Sequence, residues 1–213
     1  VSRTKQKIGE QNKRKKQKKS KGENRIKKQK RWNILWYLLA LITTALVTVI
    51  GMMAAYILAR KRLFFVKQLY LFFMVGVMIP VHCTIVPISS IASSIGAKDS
   101  YWFLVLVYIA FNLAQAVYLY IGFIQEIDKE LDEAAIIDGC NDVSLLTKIL
   151  TPICKPIIAT EAIFVFIYGY GELIFSLILL SKPEKYTASR AMLNFTGEHS
   201  TDMEPQFAFI VSV

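Results

Sequence analysis

The stretch 32-WNILWYLLALITTALVTVIGMMAAYILA-59 contains no charged residue. A helix needs about 20 apolar residues to cross the roughly 30 Å hydrocarbon core of a bilayer, and this run exceeds that. A buried helix of a soluble domain is normally shorter and keeps a charged face. Three further runs repeat the pattern. Residues 69–95 carry no charge, although Pro80, Pro87 and a polar His82-Cys83-Thr84 interrupt them. Residues 101–124 carry none, and residues 157–180 carry only Glu161 and Glu172. A fifth run begins at 207–213 and is cut off by the end of the sequence. The expected fold is all-α, a polytopic transmembrane helical bundle that is incomplete at the C-terminus.

Charge is divided as sharply as apolarity. Residues 1–31 hold 15 of the 26 Lys and Arg but only Glu10 and Glu23, a net of +13. Residues 32–213 hold 11 basic and 14 acidic side chains, a net of −3, so the formal +10 belongs to a tail. With almost no apolar content, residues 1–31 cannot bury enough surface to fold. They read as a basic disordered tail ahead of a membrane domain covering 32–213. Next to a span, such a tail sets topology and contacts lipid headgroups. No aromatic residue is interleaved before Trp32, so nucleic acid is not an expected partner. The charged stretch is also too long for a secretory signal, and no small-residue cleavage site follows it. Cys83, Cys140 and Cys154 lack C-x-x-C spacing and read as small reduced hydrophobes.

The links sort by charge. Arg60, Lys61, Arg62 and Lys67 crowd the first one and mark it cytoplasmic. The 96–100 link, with only Lys98, is then external. The 125–156 loop returns to the cytoplasm, and 181–205 is external again. This alternation holds over four spans, but it places the basic tail outside if 32–59 crosses once.

The 125–156 loop is a polar, acidic island between apolar runs. Its segment 129–138 is rich in Glu, Ala, Leu and Ile, which are compatible with a helix. Leu131, Ala134, Ala135 and Asp138 fall at helical spacing, a small-residue face able to approach a partner closely. Gly139 follows as the residue suited to a left-handed C-cap. Asn141 or Asp142 can then cap a second short helix running through Leu145, Leu146 and Ile149 to Leu150. Pro152 and Pro156 are expected to stop it and redirect the chain. The product is a stiff helix–turn–helix projection held at both ends by membrane helices, the shape a lever requires.

Glu133-Ala134-Ala135, Gly139, Ile149 and Pro152 stand in the spacing E-A-A-x-x-x-G-x₉-I-x-x-P. This resembles the cytoplasmic signature loop of ABC importer permeases, and implies their type I permease fold over about residues 43–213. It also implies a bacterial cytoplasmic-membrane, multi-pass location. In that family the projection docks in a cleft of a separate ATPase subunit. The resemblance gives Glu133 polar contacts there, Ala134 and Ala135 close packing, and Gly139 the turn. Met78-Ile79-Pro80 with Pro87, the segment Gly169-Tyr170-Gly171-Glu172, and Phe195-Thr196-Gly197-Glu198 resemble carbohydrate importers of the maltose type. Departures are Asp128 for a usual Pro, Thr151 for Leu, Ala114-Gln115 for Pro-Phe and His82 for Gln. Arg31-Trp32-Asn33-Ile34-Leu35 resembles the start of the family's first span, whereas 51–60 resembles the end of its second. An internal segment missing near Ile42 to Thr44 would fuse the two and resolve the topology conflict. The chain starts at Val1 and stops at Val213, so both ends read as cut.

The implied function is a permease subunit that moves a carbohydrate, paired with a second homologous permease, an ABC ATPase and an extracytoplasmic solute-binding protein. No cofactor is expected on this chain, which lacks G-x-x-x-x-G-K-[ST]; ATP and Mg would sit on the partner ATPase. A solute path needs polar groups within spans. Asn112 and Gln115, extended by Tyr108 and Tyr118, form one such stripe, with helix–helix hydrogen bonding as the other reading. Glu172 reads either as a cavity or gate residue or as a group at the outer interface. Glu161 is expected to snorkel or cap, and His82 to satisfy the helix break beside Pro80. Within the transporter class the alternative solute is a polyamine or glycerol phosphate. Outside it, the alternatives are a basic-tail membrane anchor or receptor, and a membrane enzyme using His82 and His199. The two histidines are too far apart in sequence to form a recognisable constellation, so the chain reads as no enzyme.

Overall fold

The computed structural model describes residues 36–61, 64–182, 185–187 and 189–190. The basic tail at 1–31 and the expected last span at 207–213 lie outside the described residues. Among those described, every regular element is helical, since a helix pairs its backbone polar groups within itself, as hydrocarbon demands. In chain order, α1 is Trp36–Arg60, α2 Val66–Met78, α3 Ile85–Ser94, α4 Tyr101–Glu126 and α5 Lys129–Ile137. Next come α6, Asp142–Ile153, and α7, Lys155–Gly171, and last α8, Ile174–Leu179.

Two of these helices, α1 and α4, are individually long and apolar enough to cross a membrane. α1 runs unbroken through Ile42 to Thr44, so the suspected junction leaves no interruption in the helix. α4 extends two residues beyond the expected 101–124.

The expected span 69–95 is instead two helices, α2 and α3, bent by 95° across the 3₁₀ turn Val81–Thr84. Pro80 explains the break. It lacks an N–H and pushes Ile79 out of the helical region, to φ −74° and ψ 120°. Pro87 lies in the first turn of α3, where a proline is tolerated. The expected span 157–180 also differs: α7 ends at Gly171, Glu172 is extended, and α8 starts afresh at Ile174.

α4 is the axis on which the others pack. Lipid gives no hydrophobic drive between helices, so close approach rests on small residues. A Cβ on Gly51 of α1 would meet Ala116 Cβ at 3.2 Å, and one on Gly76 of α2 would meet Ala114 Cβ at 3.3 Å. Two buried clusters result. One joins Val47, Tyr56, Ala116 and Tyr120 to Ala135 and Leu150 beside the 125–156 loop. The other joins Trp36, Leu104 and Tyr108 to Ala92, Phe175 and Leu179 at the opposite end. Arg60 and the 125–156 loop thus share one end, and the 96–100 link and residues 179–182 share the other, in keeping with the charge alternation. Trp36 Nε1 donates to the Tyr170 carbonyl at 3.0 Å, which fixes the start of α1 at the end opposite Arg60.

Candidate functional site

The site is the helix–turn–helix at the Arg60 end. α5 carries Glu130 and Asp132 in its first turn, where the positive end of the helix dipole favours acids. It closes at Gly139, whose φ of +84° only glycine adopts readily. Gly139 N–H donates to the Ile136 carbonyl at 3.0 Å, and Cys140 N–H to the Ala135 carbonyl at 2.9 Å, the paired bonds of a Schellman cap. No atom lies within 4 Å of where a Gly139 Cβ would sit, so the requirement there is dihedral, not steric. Of the two candidate caps for α6, Asn141 does the work: its side chain accepts from Ser144 N–H at 2.8 Å.

α6 departs from expectation in its second half. It widens into a π-helical turn over Leu145–Leu150 and continues through Pro152 to Ile153. A regular turn would set the proline ring against the Lys148 carbonyl, and the wider turn relieves that clash. The redirection, a bend of 80°, falls between Ile153 and Lys155. Ile149 packs partly buried against the adjoining core, whereas Pro152 is exposed.

The motif residues divide by face. Glu133, Ala134, Asp138 and Gly139 are exposed. Ala135 is buried within the chain's own core, so it does not share an outward face with Ala134. Ile136 and Ile137, 59% and 85% exposed, lie in sequence between the exposed acids Glu133 and Asp138, and Val143 on α6 is also exposed. The motif gave no hint of those three apolar residues.

Nor did it show how the loop is held. Arg60 Nε lies 2.7 Å from Asp132 Oδ2, with side chains only 5% and 12% exposed. Arg60 Nη2 also donates to the Ile127 carbonyl at 2.8 Å. On the second arm, Asp142 Oδ1 accepts from Tyr56 OH at 3.0 Å and from Lys61 Nζ at 2.6 Å. The Lys61 bond, then the Tyr56 bond, hold the Asp142 carboxyl below its ordinary value, and the same contact raises Lys61. An arginine closing a long apolar helix was the available signal. Its partner is set by the tertiary fold.

The proposed solute-path residues on α4 divide by burial: Tyr108 and Asn112 are buried, and Gln115 and Tyr118 are exposed. Tyr108 OH donates to Glu172 Oε2 at 2.8 Å. Glu172 also accepts from Phe175 N–H at 2.9 Å and Ser176 N–H at 3.4 Å, capping α8 at the break after Gly171. Asn112, buried, donates to the Tyr108 carbonyl of its own helix at 2.7 Å. Glu161 does not snorkel. It is fully buried, near Gln115 and without a well-formed hydrogen bond. His82 lies exposed in the 3₁₀ turn after Pro80. Among the described residues, no three His, Cys, Asp or Glu are placed to hold a metal ion.

Residues 47–213 match the family model described as binding-protein-dependent transport system inner membrane component. A maltodextrin transport system permease protein of Bacillus subtilis is 30% identical over 177 residues, covering 81% of this chain and 64% of the relative. A trehalose transport system permease protein of Mycobacterium tuberculosis is 35% identical over 164 residues, covering 75% and 58%. A putative ABC transporter permease protein of a Caldicellulosiruptor species is 31% identical, covering 79% and 62%. The chain thus spans about six-tenths of the length of these relatives. Among solved structures, a bacterial ABC transporter involved in the import of the polysaccharide alginate matches with a TM-score of 0.61 at 20% identity. That match covers 83% of this chain and 64% of the other.

Proposed function

The chain belongs to the family of binding-protein-dependent transport system inner membrane components, and on that premise we propose that it is a permease subunit of an ATP-driven carbohydrate importer. It is a multi-pass protein of the inner, cytoplasmic membrane, with α1 and α4 as its long spans. The observation that carries the proposal is the rigid projection 125–156. Its exposed edge, with Glu133, Ile137, Asp138 and Gly139, is free of contacts with the chain's own core. Exposed Ile136 and Ile137 beside the exposed acids Glu133 and Asp138, on a stiff turn, suit a cleft on an ATPase subunit. Transport needs such a part, because closure of a soluble ATPase must reach membrane helices through something that does not flex.

A carbohydrate is the favoured solute because relatives named for maltodextrin and trehalose transport match most of the chain. A second homologous permease and an external solute-binding protein complete the proposed assembly. The chain itself performs no chemistry on this reading, and ATP and Mg are held by the ATPase. Affinity capture of the intact, membrane-extracted protein, followed by mass spectrometry, tests the proposal. Recovery of an ATPase subunit and a second permease is expected, and repeated recovery of the chain alone would contradict it.

A further inference from the structure

We propose that Arg60, with Tyr56 and Lys61, is the joint through which the 125–156 projection moves the first membrane helix. The inference rests on the coupling role proposed above and concerns where the motion goes next. The projection continues into α4 and α7 through the backbone. Its tie to α1 is made by side chains of α1 and Lys61, reaching Ile127 and Asp142 across sequence separations of 67, 81 and 86 residues.

Three features make this tie a joint rather than an incidental contact. First, it grips both arms: Arg60 holds α5 through Asp132 and the Ile127 carbonyl, while Tyr56 and Lys61 hold the start of α6 through Asp142. Anchors on both sides of the Gly139 turn oppose hinging between the arms. Second, the anchors differ in kind. The Arg60–Asp132 pair is nearly dry and leaves an uncompensated buried charge if parted. The Lys61–Asp142 pair is 39% and 58% exposed and is correspondingly weak. Third, the grip avoids the docking face. Asp132 is buried and Glu133, the next residue, is exposed, so one turn of α5 faces α1 and the outside at once. Ala55, Leu58 and Tyr56 of α1 share a buried cluster with Ala135 and Leu145, which fills the space between the anchors.

Arg60, Tyr56 and Lys61 are therefore positioning residues, and their role is separable from ATPase capture. The test uses the full chain assembled with its ATPase, with Cys83→Ser and Cys140→Ser and an environment-sensitive fluorophore on Leu41→Cys, an exposed site near the far end of α1. Mg-ATP with vanadate is the probe, so no solute is required. The unaltered joint is expected to give a nucleotide-driven spectral change. Arg60→Gln and Asp132→Asn should keep the ATPase bound while cutting that change about tenfold. The double variant R60D with D132R should restore most of it. Asp142→Asn, at an exposed site, should reduce it about twofold.

A full signal in Arg60→Gln and Asp142→Asn, or no signal with the joint intact, would overturn the inference. If the single variants fail to insert, the swap decides: restored insertion with restored signal supports the joint, and restored insertion without signal overturns it. Failure of the unaltered chain to retain an ATPase would instead sink the coupling role itself, so the two failures are distinguishable.

Discussion

The two ends of the bundle are held by different chemistry. At the Arg60 end the ties are mainly between side chains, Arg60 with Asp132 and Tyr56 and Lys61 with Asp142, with one further bond from Arg60 to the Ile127 carbonyl. At the opposite end acids bind mainly backbone, although Glu172 also accepts from Tyr108 OH. Asp99, itself left-handed at φ 61°, accepts from Ser181 N–H at 2.6 Å and Lys182 N–H at 2.9 Å. Glu172 likewise accepts from the first amides of α8, and Arg190 donates to the Ser176 and Leu177 carbonyls at that helix's C-terminus. Backbone partners cannot be exchanged without unwinding a segment. Side-chain pairs can shift as units while their helices stay intact. On the proposed coupling role, the outer end would stay closed while the Arg60 end transmits displacement between helices.

The largest expected effect separates the ends by stability. Asp132→Asn strands the buried Arg60 and should cost about 3–5 kcal/mol, read by thermal unfolding of the detergent-solubilised protein. Asp99→Ala, which removes the acceptor of the Ser181 and Lys182 amides, should cost about 2 kcal/mol in the same assay. A larger loss at Asp99 would break the comparison.

Glycine turns sharpen it. Gly139 and Gly96 both have positive φ, and no atom lies within 4 Å of a Cβ at either position. Both close helices with Schellman bonds. Alanine at each should cost about 1–2 kcal/mol, an equal loss at the two ends. Only Gly139→Ala should weaken ATPase capture, because only that turn sets the angle of the docking face.

The smallest effect is on pH dependence. Asp142 and Asp99 are both held below their ordinary 3.8, by Lys61 and Tyr56 in one case and by the Lys182 and Ser181 amides in the other. Each contributes stability that is present above pH 3.8 and lost as the pH falls through the lowered value. Lys61 is raised above its ordinary 10.5 by the Asp142 bond, so its contribution is complete below that value and lost as the pH rises past it. Spin labels at Val143 and Lys98 should therefore both loosen in acid, and only the Val143 label should loosen when Lys61 deprotonates.

Much of this molecule was legible in local sequence. The charge-free runs gave α1 and α4, and Gly139 after an Ala-rich acidic segment gave the turn of the projection. Pro80 was visible, yet the run around it was read as one span, because counting charges ignores the backbone rule that forces Ile79 to be extended. An acid late in an apolar run reads at Glu172 either as a cavity or gate residue or as a group at the outer interface, and neither reading names its backbone partners. The free amides exposed by the break at Gly171 are what it satisfies. Glu161 was expected to reach water, but helical phase turned it into the packed α4–α7 interface. The Arg60–Asp132 pair joins residues that no local pattern relates, and it became visible only once α1 and α5 were placed side by side.

The central claim is that the exposed edge of the projection receives an ATPase, and a photo-crosslinker at Ile137 tests it most directly. In intact membranes this site, 85% exposed at the cytoplasmic end, is expected to capture an ATP-hydrolysing subunit. The same crosslinker at Val86, 76% exposed on α3 in the outer half, is expected not to. Capture from Val86 and not from Ile137, or from neither, would contradict the assignment of 125–156 as the coupling site.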